Sequence, residues 1–275
     1  ELLVMATALG QGLTSEMKKN LFGNAYLNML WHCPSDPRFS YWVHLPDCYY
    51  DEEDPHYQLM VIIHGTGCAT EEYVRVAKAW ADERKVALLA PMFPGGLIDP
   101  EDFNAYKMLS CDGVRYDNVL LAMVDDMAKR YPGVETSKFF MFGHSGGGQF
   151  VNRFLLVHPD RLKAASIGAP GRPTFLNFEE DYFWGIRDFY KYFDKQIDME
   201  AIRKVPVLIT VGELDVKYIG DSPYGSCRVE RMKSLQKNFI ENGIHTELQI
   251  LPGLEHGDGE QERVDAAQSF FGRYL

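Results

Sequence analysis

Several things are scarce in this chain, and each scarcity removes a class of function. Cationic side chains are outnumbered, with 28 Lys and Arg against 39 Asp and Glu and a formal net charge of −11. Such a surface repels a nucleic-acid backbone and an anionic membrane, so neither is expected as a partner. There are only five cysteines, Cys33, Cys48, Cys68, Cys111 and Cys227, in 275 residues. They are scattered, odd in number and never spaced Cys-x-x-Cys, which excludes a disulfide scaffold. No Asn-x-Ser/Thr acceptor occurs, no apolar run reaches membrane length, and no basic-then-apolar segment opens the chain. Met5 reads as the native start, and the protein reads as cytoplasmic. No His-Glu-x-x-His and no tight group of histidines and carboxylates is present, so no metal site is expected. Gly65 and Gly67 lack the third glycine and the spaced acid of a dinucleotide fingerprint, and the glycines of 143–148 lack the lysine of a phosphate loop. No cofactor is expected either.

What is present is alternation. Phe39–Leu45 is strand-like and ends at Pro46; an acidic, solvated turn follows at Tyr49–Pro55. Gln58–Ile63 is continuously apolar after its first residue, as a strand covered on both faces should be. Glu71–Glu83 carries Tyr73, Val76, Ala77 and Trp80 at helical spacing. Lys85–Ala90 is a strand stopping at Pro91, and Val114–Arg130 is a helix with Val119, Ala122, Met123 and Met127 on one stripe. Lys138–Phe142, Ala164–Ile167, Val205–Val211 and Thr246–Leu251 read as strands. Gln149–His158, Arg228–Asn242 and Gln261–Phe271 read as helices. Strand and helix in regular succession predict one mostly parallel sheet flanked by helices.

Between strand and helix stands Gly143-His144-Ser145-Gly146-Gly147. A Gly-x-Ser-x-Gly between an apolar strand and a helix is a nucleophile elbow, with the serine lifted above the sheet edge. A serine hydroxyl needs a base, and the base needs a carboxylate to fix its tautomer. Reactive groups gather beyond the carboxyl ends of parallel strands. Two such ends lie downstream: Val205–Val211 runs into Gly212-Glu213-Leu214-Asp215, and Thr246–Leu251 into Pro252-Gly-Leu-Glu-His256. Ser145, Asp215 and His256 are therefore the expected nucleophile, acid and base, with Glu213 a rival acid and Asp258 a remote one. His245 precedes its strand, at the wrong end; His158 closes a helix and reads as a cap or surface residue; His64 reads as a support for its loop. The oxyanion donors are expected at the amides of Gly146 and Thr66.

Residues 171–200 break the rhythm. They hold no strand pattern but contain Phe175, Phe178, Tyr182, Phe183, Trp184, Phe189, Tyr190, Tyr192 and Phe193. Aromatics in such density pack against something. Two readings stand: a helical insertion with its own core, and a cap over Ser145. On the second, Trp184, Tyr182 and Phe183 face substrate, and His144 is a further substrate contact. The domain division is then 5–170 with 201–275 as the core and 171–200 as the insertion.

His64-Gly65 after one strand, Pro91-x-Phe93-Pro94 after the next, and the Gly143–Gly147 elbow together carry a resemblance. From about Phe39 to Leu275 the chain resembles the α/β-hydrolase superfamily, and within it microbial and fungal esterases of the depolymerase and feruloyl-esterase type. The resemblance implies an α/β-hydrolase fold, with the serine, aspartate, histidine and oxyanion assignments at the positions named above. It implies a serine hydrolase acting on a carboxylic ester or lactone of a medium-sized apolar or aromatic substrate. An amidase uses the same atoms. The alternative is acyl transfer, cyclisation or condensation in a natural-product pathway, which the fold also serves; a non-catalytic binding protein is a third. The expected partner is a small-molecule ester or lactone, and a homodimer is admitted.

Overall fold

The computed structural model describes residues 27–275 except Glu53, together with Thr14, Glu16, Met17, Asn20 and Ala25. The expected start at Met5 lies outside the described residues. In chain order the elements begin with β1 (Leu30–His32), β2 (Ser40–His44), β3 (Tyr57–Ile63), α1 (Thr70–Arg84) and β4 (Val86–Met92). A two-stranded hairpin of β5 (Ser110–Cys111) and β6 (Val114–Arg115) precedes α2 (Tyr116–Arg130). Then come β7 (Val134–His144), α3 (Gly146–Val157), β8 (Leu162–Gly168), the one-turn helices α4 (Tyr190–Phe193) and α5 (Met199–Ile202), and β9 (Val207–Gly212). The chain closes with α6 (Arg228–Glu241), β10 (Thr246–Leu251) and α7 (Glu260–Phe271).

Eight strands form one sheet in the order β1-β2-β4-β3-β7-β8-β9-β10. From β4 to β10 the neighbours are parallel, while β2 is antiparallel to both β1 and β4. The central strands are apolar on both faces for a reason visible in β3. Its Leu59, Val61 and Ile63 enter the cluster shared with α2, α3 and α6, and its Met60 and Ile62 enter the one shared with α1 and α7. The strand after β3 goes to one side of it, whereas β7 lies on the other. That reversal opens a crevice between the carboxyl ends of β3 and β7, where open parallel sheets place their ligands.

The structure departs from the sequence reading in places. The short strand β1 carries too few residues to show a pattern. β4 continues through Pro91, which pairs with Tyr41 near the strand's end, where a missing N–H disturbs little of the ladder. Residues 171–200 were expected to be helical, but apart from α4 and α5 they are turns and irregular chain. Pro170, Gly171 and Pro173 break helix at its entry. Side chains of the core then hold the backbone: Asn152 accepts from the Thr174 amide and Asn238 from the Leu176 amide. Its aromatics do not build a separate core either. Phe175, Phe189 and Phe193 are buried in the same cluster as α2, α3 and α6. His158 caps the C-terminus of α3, as one reading expected, its amide donating to the Phe154 carbonyl, but it is buried and not at the surface, with Asp117 2.8 Å from its Nε2. Among the described residues, no helix is long and apolar enough to cross a membrane.

Candidate active site

Ser145 sits between β7 and α3 with φ 56° and ψ −111°. A non-glycine residue rarely holds such a conformation, and it persists only where the surroundings enforce it. Here the Ser145 amide donates to the Gly168 carbonyl at 2.8 Å. The helix that follows is pressed against the sheet so closely that a Cβ on Gly147 would overlap the Ile63 carbonyl oxygen. Glycine at 147 is thus what permits the turn.

The loops after β9 and β10 meet this elbow. His256 Nε2 lies 2.9 Å from Ser145 Oγ, and His256 Nδ1 lies 2.6 Å from Asp215 Oδ2. A carboxylate oxygen accepts, so Nδ1–H donates and the Nε2 lone pair is left for the serine hydroxyl. Asp215 is buried, while His256 retains 29% side-chain exposure. Glu213, the rival acid, turns away: its carboxylate accepts from the Gly253 amide at 2.9 Å. Asp258 is exposed.

Three residues behind the site, two buried and one half-buried, were not legible in the sequence as parts of it. Arg263, on α7, donates to the carbonyls of Glu255 and His256, each at 2.8 Å, and so pins the loop that carries the histidine. Arg228, at the start of α6, reaches Asp215 Oδ1 at 3.4 Å. Tyr106 donates to the His64 carbonyl at 3.1 Å. None belongs to a recognisable spacing, because each reaches the site from a different part of the chain.

The loop after β3 overlies the first turn of α3, with Thr66 Oγ1 3.2 Å from the position of a Cβ on Gly146. The Gly146 amide opens the helix, where the first N–H groups have no helical acceptor. His64 holds this loop. Its Nδ1–H donates to the Gly65 carbonyl at 2.7 Å, and its Nε2 accepts from the Phe93 amide at 3.0 Å. Burial pushes its imidazolium down to about 4, so it is neutral at physiological pH and is a support rather than a base.

The residues expected at the substrate divide. Phe183 lines a cavity of about 400 Å³ together with Lys107, Gln149, Arg172, Arg228 and Arg231. Tyr182 does not: it is buried in the cluster beneath, its hydroxyl donating to the Met108 carbonyl at 2.6 Å. Trp184 is half-buried between Arg231, 5.2 Å from its ring, and Tyr224. His144 packs behind His256, with ring centroids 4.9 Å apart, and its Nε2–H donates to the His256 carbonyl at 3.1 Å. Burial, with Arg263 and His256 nearby, holds its imidazolium well below its ordinary range. Its position follows from the strand: the residue before Ser145 points away from the side on which the serine emerges.

Among the described residues, no group of three or more histidines, cysteines or acids is placed to hold a metal ion. No protein-family model matches the chain, and no curated protein matches its sequence. Solved structures do match in shape. Poly(aspartic acid) hydrolase-1 from Sphingomonas sp. KT-1 superposes with a TM-score of 0.71 at 20% identity, over 88% of this chain and 96% of its own. A poly(3-hydroxybutyrate) depolymerase from Bordetella parapertussis gives 0.70 at 20% identity, over 96% and 95%. A siderophore hydrolase from Aspergillus nidulans gives 0.61 at 14% identity, over 91% and 96%. The fold of this chain is the α/β-hydrolase fold.

Proposed function

We propose that this protein is a serine hydrolase that cleaves a carboxylic ester or lactone through an acyl-enzyme. The observation that carries the reading is the hydrogen-bonded chain from Ser145 Oγ through His256 to the buried Asp215. Ser145 Oγ attacks the ester carbonyl carbon while His256 Nε2 takes its proton. Asp215 keeps the imidazole in the right tautomer and stabilises its charged form. The oxyanion meets the amides of Gly146 and Thr66. The carbonyl–oxygen bond to the alcohol then breaks, and His256 returns the proton to the departing oxygen. Water, deprotonated by the same nitrogen, adds to the acyl-enzyme and releases the acid and the free serine.

Residues 171–200, the insertion, contribute one wall of the substrate cavity through Phe183 and Arg172. The cavity is of small-molecule size. Phe183 and Met108 offer it an apolar surface for a medium-sized substrate. Free cysteines throughout fit a cytoplasmic location. The structures similar in fold are named for hydrolysis of polymeric or small substrates, which favours hydrolysis over acyl transfer.

The test is covalent labelling. A serine-directed phosphonate should modify the wild-type protein once, at Ser145, as read by peptide mass. Ser145→Ala should fold with an unchanged circular-dichroism spectrum and take no label. A label landing elsewhere, or an unlabelled wild type, would overturn the assignment.

A further inference from the structure

The cavity that Phe183 and Gln149 line concentrates positive charge in a protein whose formal net charge is −11. Lys107, Arg172, Arg228 and Arg231 line it, and Arg153 lies buried beneath it, donating to the carbonyls of Lys107 and Arg172. Among the described residues, the single ion pair that any of these five makes is the long Arg228–Asp215 contact at 3.4 Å.

Two of the five are structural clamps. Arg153 spends its donors on Thr174 and on those two carbonyls, and Arg231 on the carbonyls of Gly171, Gly220 and Gly225. They contribute field but present few free donors. The other three have donors to spare. Lys107 Nζ gives one bond, to Asn104 at 2.6 Å, and has two donors left. Arg228 Nε is buried and bonded to nothing in the protein. The Arg172 guanidinium is exposed and lies 5.7 Å over the Phe183 ring. The nearest acid to compete for Lys107, Asp102, is already engaged by the amides of Asn104 and Ala105.

The cavity is also tied to the reacting atoms. The Lys107 stem lies against the helix start that follows Ser145, its Cε 2.8 Å from the position of a Cβ on Gly146. Arg228 touches the acid of the site, and Gln149 is one turn along α3 from the nucleophile. Five like charges gathered with one long ion pair among them cost stability, so an arrangement of this kind is held for an anion that arrives from outside. Burial lowers the Lys107 ammonium to about 8, which still leaves it charged at neutral pH.

We propose that this cavity is an anion subsite of the Ser145 centre, and that the preferred substrate is an ester bearing a carboxylate that Lys107, Arg172 and Arg228 hold beside the scissile carbonyl. The inference rests on Ser145 being the nucleophile. Planar guanidinium groups with an ammonium that keeps two free donors suit a carboxylate, and the Phe183 wall accommodates the chain that links it to the ester.

Two p-nitrophenyl alkylphosphonates of equal chain length test it, one ending in a methyl group and one in a carboxylate. Each reacts by forming an Oγ–phosphorus bond as p-nitrophenolate leaves. After correction for their intrinsic hydrolysis rates, the carboxylate probe should label wild-type Ser145 about tenfold faster, the scale of one charge-assisted hydrogen bond. Arg172→Gln and Lys107→Gln should each cut that ratio several-fold, and salt at about 0.5 M should compress it. Arg172 is exposed, so its variant keeps the test usable if the Lys107 variant fails to fold. Equal or slower labelling by the carboxylate probe overturns the proposal, as does a wild-type ratio in the folded variants. Labelling by neither probe removes the Ser145 reading itself, and the subsite with it.

Discussion

His64 offers a perturbation whose size can be worked out in advance. It is fully buried beneath the loop that carries Thr66, against Phe93 and Tyr106. Burial lowers it from an ordinary 6.5 to about 4. As pH falls, the unfolded chain takes up a proton near 6.5 while the folded protein does not until near 4. The unfolded state therefore binds more protons in that window, and stability is lost as pH drops through it. Between about pH 8 and pH 5 the loss from this one group is about 2 kcal/mol, approaching about 3 kcal/mol near pH 4. His64→Gln removes the titration, and its carbonyl oxygen can still accept from the Phe93 amide. It forfeits the bond to the Gly65 carbonyl, at a cost of about 1 kcal/mol at every pH. Urea unfolding at a series of pH values should thus give a variant that is less stable at pH 8 and comparable or better at pH 5. His44 and His144 are also lowered by burial, but they act equally in both proteins and cancel in the difference. Stability curves that run parallel across the whole range would refute the reasoning.

Two further outcomes follow from the same geometry. Asp215→Asn removes the acceptor that sets the His256 tautomer, so kcat should fall by about 10⁴-fold, whereas Glu213→Gln should stay within a few-fold of wild type; the reverse order in ester or phosphonate kinetics would move the acid to Glu213. Tyr182→Phe deletes the hydroxyl that donates to the Met108 carbonyl, so the melting temperature should drop by about 2–4 °C with KM unchanged, and a large KM change at constant stability would put Tyr182 in the cavity after all.

The sheet was legible because its physics is local. An all-apolar run such as Leu59–Ile63 reads as a strand covered on both faces, and the 3.6-residue stripes of α1 and α2 admit one reading each. The elbow was legible for a similar reason: the glycines at 143 and 147 and the serine between them are needed by one backbone turn. That Asp215 and His256 meet Ser145 could be foreseen because topology converts "after a parallel strand" into "at the same edge of the sheet". The aromatic segment was not legible in this way. Its fold is dictated by partners such as Asn152 and Asn238, which lie 22 and 62 residues away from the amides they hold. Aromatic density established that the segment packs, but not that Tyr182 goes down into the core while its neighbour Phe183 stays beside the cavity.

Charge makes the same point more sharply. The composition describes an acidic protein, and the apolar or aromatic substrate expected from the resemblance leaves no role for a cationic site. The cationic cavity is assembled from three stretches of chain, around Lys107, around Arg172 and along the start of α6, none of them basic enough to stand out in the sequence. Folding brings them together because Arg153 and Arg231 bond to the carbonyls of the loops that carry the others. The clamps that shape the cavity thereby also charge it. Net charge sets what the whole surface repels at a distance, while on the proposed reading Lys107, Arg172 and Arg228 set what the site accepts at contact. These two properties are independent, and here they have opposite signs.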